Sequence, residues 1–245
     1  MKQTIVLALL SLALSIPCVS ALGQEPRPRR WKDQAELAFV NTTGNSEVLT
    51  IAVKNVLDYK LTPRLNGNWK IGALKGKTQG ETTAERYYSD LRFDYTFTDH
   101  FYTYLLGGWL QDRFAGLDKR YHLGPGAGYH FYSGPYTFLH CEAGLNYAYE
   151  DYVTGGNEDF LEGRLFGKYE YAFSDKNRFF FSAEFLQDFD DSENYKARGE
   201  TAVIAGLTDV LALKIGYEVR YQNRPTPASL EKTDTLLGAS FIITY

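Results

Sequence analysis

The sequence runs to 245 residues, with 26 Lys and Arg against 30 Asp and Glu and a formal net charge of -4, a balance that excludes the strongly basic footprint of a nucleic-acid binder. Aromatic residues make up 16% of the chain, 19 of them Tyr, yet the mean hydropathy is negative. That pairing suits strands with one apolar face and one wet face.

Met1-Lys2, an apolar run from Ile5 to Ile16 and the small-x-small pattern Val19-Ser20-Ala21 predict a cleavable signal peptide over 1–21. Cleavage after residue 21 of 245 leaves 224 residues, enough for one domain. The apolar run is too short to cross a bilayer as a helix, and no other segment approaches the roughly 18 consecutive apolar residues that a helical span needs. Pro17 ahead of Cys18 argues against a lipid anchor, and with the signal removed Cys141 is the sole cysteine. No disulfide and no cysteine-based zinc site is therefore expected.

Residues 22–33, with Pro26, Pro28 and three arginines, read as an extended periplasmic arm. From Gln34 to Tyr245 the chain keeps returning to period-two alternation, which assigns 34–245 to strands with two different faces. Between Arg86 and Phe97 one parity holds Arg86, Asp90, Arg92 and Asp94 and the other Tyr87, Leu91, Phe93 and Phe97. The Gly124-Pro125-Gly126 segment predicts a bulge or kink, because proline cannot donate to a ladder. From Leu161 to Phe173, Glu162, Arg164, Lys168 and Glu170 share the charged face, with Leu165, Tyr169, Tyr171 and Phe173 opposite. Arg198 and Glu200 follow the same parity, as do Lys214, Glu218 and Arg220 against Leu213, Ile215, Tyr217 and Tyr221.

Short turns near Thr62-Pro63, Thr98-Asp99, Ser133-Gly134-Pro135, Ser174-Asp175-Lys176 and Thr208-Asp209 alternate with polar loops near 43–45, 75–83, 114–119, 151–158, 188–194 and 224–232. Connections in that pattern join about 12 antiparallel strands in an up-and-down barrel, with short turns at one end and longer loops at the other. Alternation alone also fits a soluble lipocalin-like barrel. Strand length and aromatics near predicted strand ends favour the membrane: Tyr59, Phe97, Tyr171 and Phe173 towards the turns, and Tyr87, Tyr147, Tyr149 and Tyr221 towards the loops. The last strand, with Gly238, Phe241, Ile243 and Tyr245, resembles a C-terminal signal for outer-membrane assembly.

Charges of both signs on the inner parity either line a narrow polar channel or pair into a salt-bridged plug, and neither sign dominates enough to predict selectivity. His130 and His140 flank a turn at spacings that place them opposite each other with Glu142 nearby, an arrangement that fits a metal or proton-sensing site, but histidines on a wet interior are more often simple hydrogen-bonding residues. His100 and His122 have no serine and acid partners, so no enzyme, metal or cofactor is expected. Loops this short leave little room for a receptor or adhesin surface.

The whole of this region resembles the YdiY-like family of salt-induced outer-membrane proteins, a family defined by a domain of unknown function. The resemblance rests on Thr43-Gly44-Asn45-Ser46, on Gly126-Ala127-Gly128-Tyr129 followed by Glu142-Ala143-Gly144-Leu145, and on Lys232-Thr233-Asp234-Thr235. It implies the outer membrane of a Gram-negative-type cell and a link to salt or osmotic stress, and it brings no catalytic residues. The expected partners are outer-membrane lipids, periplasmic chaperones and the assembly machinery, around a monomer that binds no nucleic acid.

Overall fold

The computed structural model describes residues 30–42 and 48–245. The predicted signal peptide, most of the arm and the Thr43-Gly44-Asn45-Ser46 segment lie outside the described residues. Twelve strands follow in chain order: β1 (Trp31–Thr42), β2 (Val48–Lys60), β3 (Leu65–Thr78), β4 (Glu81–Thr96), β5 (Phe101–Asp112), β6 (Leu117–Ser133), β7 (Thr137–Tyr152), β8 (Asn157–Ala172), β9 (Asn177–Asp188), β10 (Tyr195–Gly206), β11 (Leu211–Gln222) and β12 (Thr233–Thr244). Each pairs with its chain neighbours, and β1 pairs with β12, so the sheet closes into one antiparallel barrel with no free edge.

Two boundaries and one expected irregularity differ from the sequence reading. β1 begins at Trp31 rather than Gln34, because Trp31, Lys32 and Asp33 pair with Tyr59, Asp58 and Leu57 of β2. The predicted loop over 75–83 is instead a hairpin that runs on to a two-residue turn, with Gln79 at φ 51° and Gly80 at φ 84°, the left-handed geometry of a tight β-hairpin. At Pro125 there is no register shift. Leu123↔Tyr147 and Gly126↔Gly144 keep one register across β6 and β7, and only the two residues between them lack partners on β7. The missing proline donor is absorbed as a gap, while the irregularities fall at Leu117/Lys119 and His130/Tyr132.

Four of the five short turns share one device. The hydroxyls of Thr62, Thr98, Ser174 and Thr208 each accept a hydrogen bond from the backbone N–H three residues on, at 2.9–3.2 Å, which fixes the hairpin without an αL residue.

The barrel is inside-out relative to a soluble domain. Among the described residues, the largest fully buried side chains are Glu150 and Glu162, whereas Leu237 is 72% exposed. Leucine, isoleucine, valine and phenylalanine recur along the outer surface of most strands, far beyond the few hundred Å² of contiguous apolar patch that a soluble monomer tolerates. At the turn end, exposed Phe97 and Phe173 pack edge-on against Tyr95 and Tyr171, centroids 4.8 and 5.3 Å apart, with Tyr59 exposed in the same zone. Towards the loop end, Tyr87, Tyr147 and Tyr221 donate their hydroxyls to Glu85, Asp159 and Asn223 at 3.1, 2.7 and 2.9 Å. Tyr149 lies beside Tyr121 in the same zone.

On the inside, rings lie against bare backbone. Tyr88, Tyr102 and Tyr104 sit opposite Gly72, Gly128 and Gly126 in register, and a Cβ at any of these glycines would run into the ring. The barrel closes at Gln34↔Thr244 through Ala38↔Ser240, helped by backbone bonds between Asp33 and Tyr245 of 3.3 and 2.9 Å. Phe241, Ile243 and Tyr245 face outward along that seam, and Gly238 lies opposite Gly216 of β11.

Protein folded in detergent should migrate on gels as a compact band that shifts on boiling; folding in detergent-free buffer would contradict the apolar exterior. Gly126→Val should destabilise the barrel by about 1–3 kcal/mol through overpacking against Tyr104, read by urea unfolding in vesicles.

Candidate functional site

Inner side chains meet across the lumen, not merely along it. β4 and β7 stand three positions apart in the ring, yet Arg92 grips Glu142 with two bonds of 2.7 and 3.0 Å, a contact that only the interior permits. Glu142 also accepts from Tyr102 at 2.7 Å and from Arg164 of β8 at 2.8 Å. Arg164 reaches onward to Tyr104 at 2.9 Å and Glu184 at 2.7 Å, while Arg92 holds Asp94 at 2.6 Å. Every acceptor in this layer faces a cation or a hydroxyl, the condition under which buried charge is tolerated.

A second layer lies nearer the loops. Arg120 of β6 joins Glu150 and, at 2.6 Å, Glu162, and Glu150 also takes the ammonium of Lys196 from β10. Asn146 adds a bond to Glu162 at 3.1 Å. Elsewhere on the wall, Lys214 bridges Glu200 and Glu36 at 2.9 and 3.1 Å, and Asp90 pairs with Lys70 at 3.2 Å.

These layers fill one side of the barrel and leave a chamber of about 730 Å³ that reaches Lys54 and Lys70 on one wall and Arg198 and Arg220 on another. The charges bordering it are not evenly presented: eleven Lys and Arg line it against seven Asp and Glu. Glu36, Glu142, Glu150 and Glu218 are absent from the lining, although each is ion-paired. These glutamates are covered by the lysines and arginines that pair with them, so the sequence's near-balance of signs becomes a surface richer in cations. A second recess of about 420 Å³ opens at the turn end beside Gly134, Tyr136 and Arg178, and Lys168 borders both spaces. Lys168 is paired with Glu170 and lies 5.5 Å from the Phe180 ring centre.

The loop-end mouth is crossed by the segment between β11 and β12. In a twelve-strand ring the β11–β12 and β5–β6 connections stand opposite each other, yet the Thr226 carbonyl and Leu230 press against Gly116 between β5 and β6. A Cβ at Gly116, which also sits at φ 83°, would meet that carbonyl. Val153 donates to the Gly116 carbonyl at 3.0 Å. On the other side, Arg224 pairs with Asp191 and, at 3.4 Å, with Glu193. The Asp191 carboxyl is held below its usual range first by the Glu193 backbone N–H and then by Arg224.

A family model described as protein of unknown function, DUF481, matches residues 35–245. The chain belongs to that family. The uncharacterized protein YdiY of Escherichia coli strain K12 is 27% identical over 156 residues, which span 63% of this chain and 60% of that protein's own length. Among solved structures, an outer-membrane channel of the COG4313 group from Pseudomonas putida F1 superposes with a TM-score of 0.57 at 10% identity, over 93% of this chain and 100% of that one. The translocator domain of the autotransporter NalP from Neisseria meningitidis gives 0.51 at 11% identity, over 89% of each. The fold this DUF481 chain shares with them is that of outer-membrane β-barrels.

Of the charged positions read from alternation, the structure brings Arg86, Arg198, Arg220 and Glu218 into one cluster, joins Arg92, Asp94 and Arg164 through Glu142, and places Lys214 with Glu200 and Lys168 with Glu170. His130 and His140 face each other in register, their rings 5.8 Å apart, with His140 3.7 Å from Glu142. Sequence reasoning missed Arg120, Glu142, Glu150, Glu184 and Lys196 as members of the charged layers. The parity that finds Arg164 also marks Glu142 and Glu150 on β7, but facing could not be carried across the Pro125 strand.

Glu142→Ala should cost about 3–5 kcal/mol by leaving two buried guanidiniums without their shared acceptor. The check is the urea midpoint of the vesicle-folded variant, and a loss under 1 kcal/mol would mean the layer is solvated.

Proposed function

We propose that this protein is a non-enzymatic, monomeric outer-membrane channel that passes small polar solutes through a narrow lumen. The observation that carries the reading is the pair of spaces at opposite ends of the lumen, both bordered by the long side chain of Lys168. Lipid covers the apolar belt, and the outward Phe241, Ile243 and Tyr245 with Gly238 serve the assembly machinery and its periplasmic chaperones. The alternative, a closed binding or structural barrel, draws on the charged layers that bridge β4 to β7 and β7 to β10.

The link to salt stress has a physical counterpart in the mouth segment. Arg224 is exposed, so its pairing with Asp191 and Glu193 weakens as ions screen it. The direction with pH follows from the depressed Asp191 carboxyl: the pairing is intact above the ordinary carboxyl range and is lost as pH falls through the lowered value.

Planar-bilayer recordings test this directly. Single-channel conductance is expected to rise with salt faster than bulk conductivity, and Arg224→Ala with Leu230→Ala should raise the open fraction at least about twofold at low salt, where the pairing is otherwise strongest. Lys168→Trp should lower conductance while leaving the heat-shifted gel band intact. If no variant conducts above background at any salt concentration, the channel reading fails and the closed barrel takes its place.

A further inference from the structure

The guanidinium of Arg86 is the anomaly of the chamber wall. Its Nε and Nη1 are buried without a hydrogen-bond partner, while its nearest carboxylate oxygens, on Asp112 and Glu218, stand at 3.7 and 4.0 Å. Both acids are already engaged. Glu218 is held by Arg220 at 2.6 Å and Arg198 at 2.9 Å, and the same Asp112 oxygen lies 3.7 Å from Arg220. Arg86 thus has no carboxylate within hydrogen-bond reach, and its side chain borders the chamber. Other buried arginines are better met: Arg92, Arg120 and Arg164 each make two or more short charged bonds.

The surroundings define what would complete the cluster. Tyr88 lies beneath Arg86 at 5.6 Å and beneath Lys70 at 5.7 Å, so a second cation flanks the same ring. Leu110 of β5, opposite Tyr88 in the ladder, and Leu106 line the chamber, offering apolar contact to a carbon skeleton. A space of about 730 Å³ lies within the range of small-molecule sites, which combine apolar walls with a few convergent polar groups.

We propose that the chamber is a binding site for a small organic carboxylate, whose oxygens take the free donors of Arg86 with Arg198 and Arg220 supplying the local positive field. Guanidinium is the side chain best matched to a planar carboxylate, and an entering anion supplies the missing second-sign charge. As the solute class of the channel this rests on the proposed function; as a site it is read by binding alone.

Benzoate is the probe, with benzyl alcohol as the uncharged counterpart and inorganic phosphate as the charged counterpart without a skeleton, each titrated by calorimetry into detergent-folded protein. Saturable benzoate binding is expected, at least about tenfold weaker for benzyl alcohol and for phosphate. Arg86→Gln, checked for its heat-shifted band, should weaken benzoate at least about tenfold. Arg220→Gln, which frees Asp112 and Glu218 to neutralise Arg86, should weaken it as well and serves if the first variant does not fold. Arg178→Gln, at the turn-end recess, should leave it unchanged. Absence of saturation, equal binding of benzyl alcohol, or unchanged affinity in the cluster variants would overturn the site, and phosphate binding equal to benzoate would overturn the organic class. Binding without conductance in the same preparation would end the channel and keep the site; conductance without binding would do the reverse.

Discussion

The interior is organised around the carboxylate of Glu142, held by two guanidiniums and a phenol within a barrel whose outside is apolar. An isolated carboxylate there would be prohibitively costly, so each of its oxygens must be met, and meeting them fixes where Arg92, Arg164 and Tyr102 can lie. Those three come from β4, β8 and β5. One side chain on β7 thereby ties together four strands that hydrogen-bonded ladders alone would connect only in sequence around the ring.

Room for that arrangement comes from glycine. Gly126 and Gly128 on β6 and Gly144 on β7 strip the inner wall of side chains where Tyr102 and Tyr104 lie flat, and the rings then carry hydroxyls to Glu142 and Arg164. The filled side and the open side of the lumen thus have one origin. Where glycine lets rings lie down, charges cross and pack; where β2, β3, β10 and β11 present lysine and arginine from an uncluttered wall, the chamber stays open.

Strand number, closure and the greasy face were legible in the sequence because a strand's side chains alternate with an inflexible period of two, visible from Arg86 to Phe97 and again from Leu211 to Gln222. Turn chemistry was legible for the same reason of locality: Thr62, Thr98, Ser174 and Thr208 act on residues three positions away. Partnerships across the lumen were not. Nothing in the spacing of Arg92 and Glu142, fifty residues apart, says they share a hydrogen bond, since that depends on closure and on the tilt of every strand between them. Strand ends were missed where polar residues continue a ladder beyond the belt, as at Lys75, Lys77 and Glu81. The Pro125 segment misled because a proline signals a defect without saying whether the ladder will slip or merely skip.

The seam between β1 and β12 carries a consequence in time. Glu36 pairs with Ile242, a loop closure of more than two hundred residues, whereas every other ladder joins strands adjacent in the chain. The entropy of closing such a loop grows slowly with length, but the pairing has nothing to close upon until both ends are present. Eleven strands without the twelfth would form a sheet with two unsatisfied edges, an aggregation-prone species. The twelfth strand is therefore the one that converts this chain from a hazard into a finished ring, and any factor that guards the other eleven must hold on until it is in place.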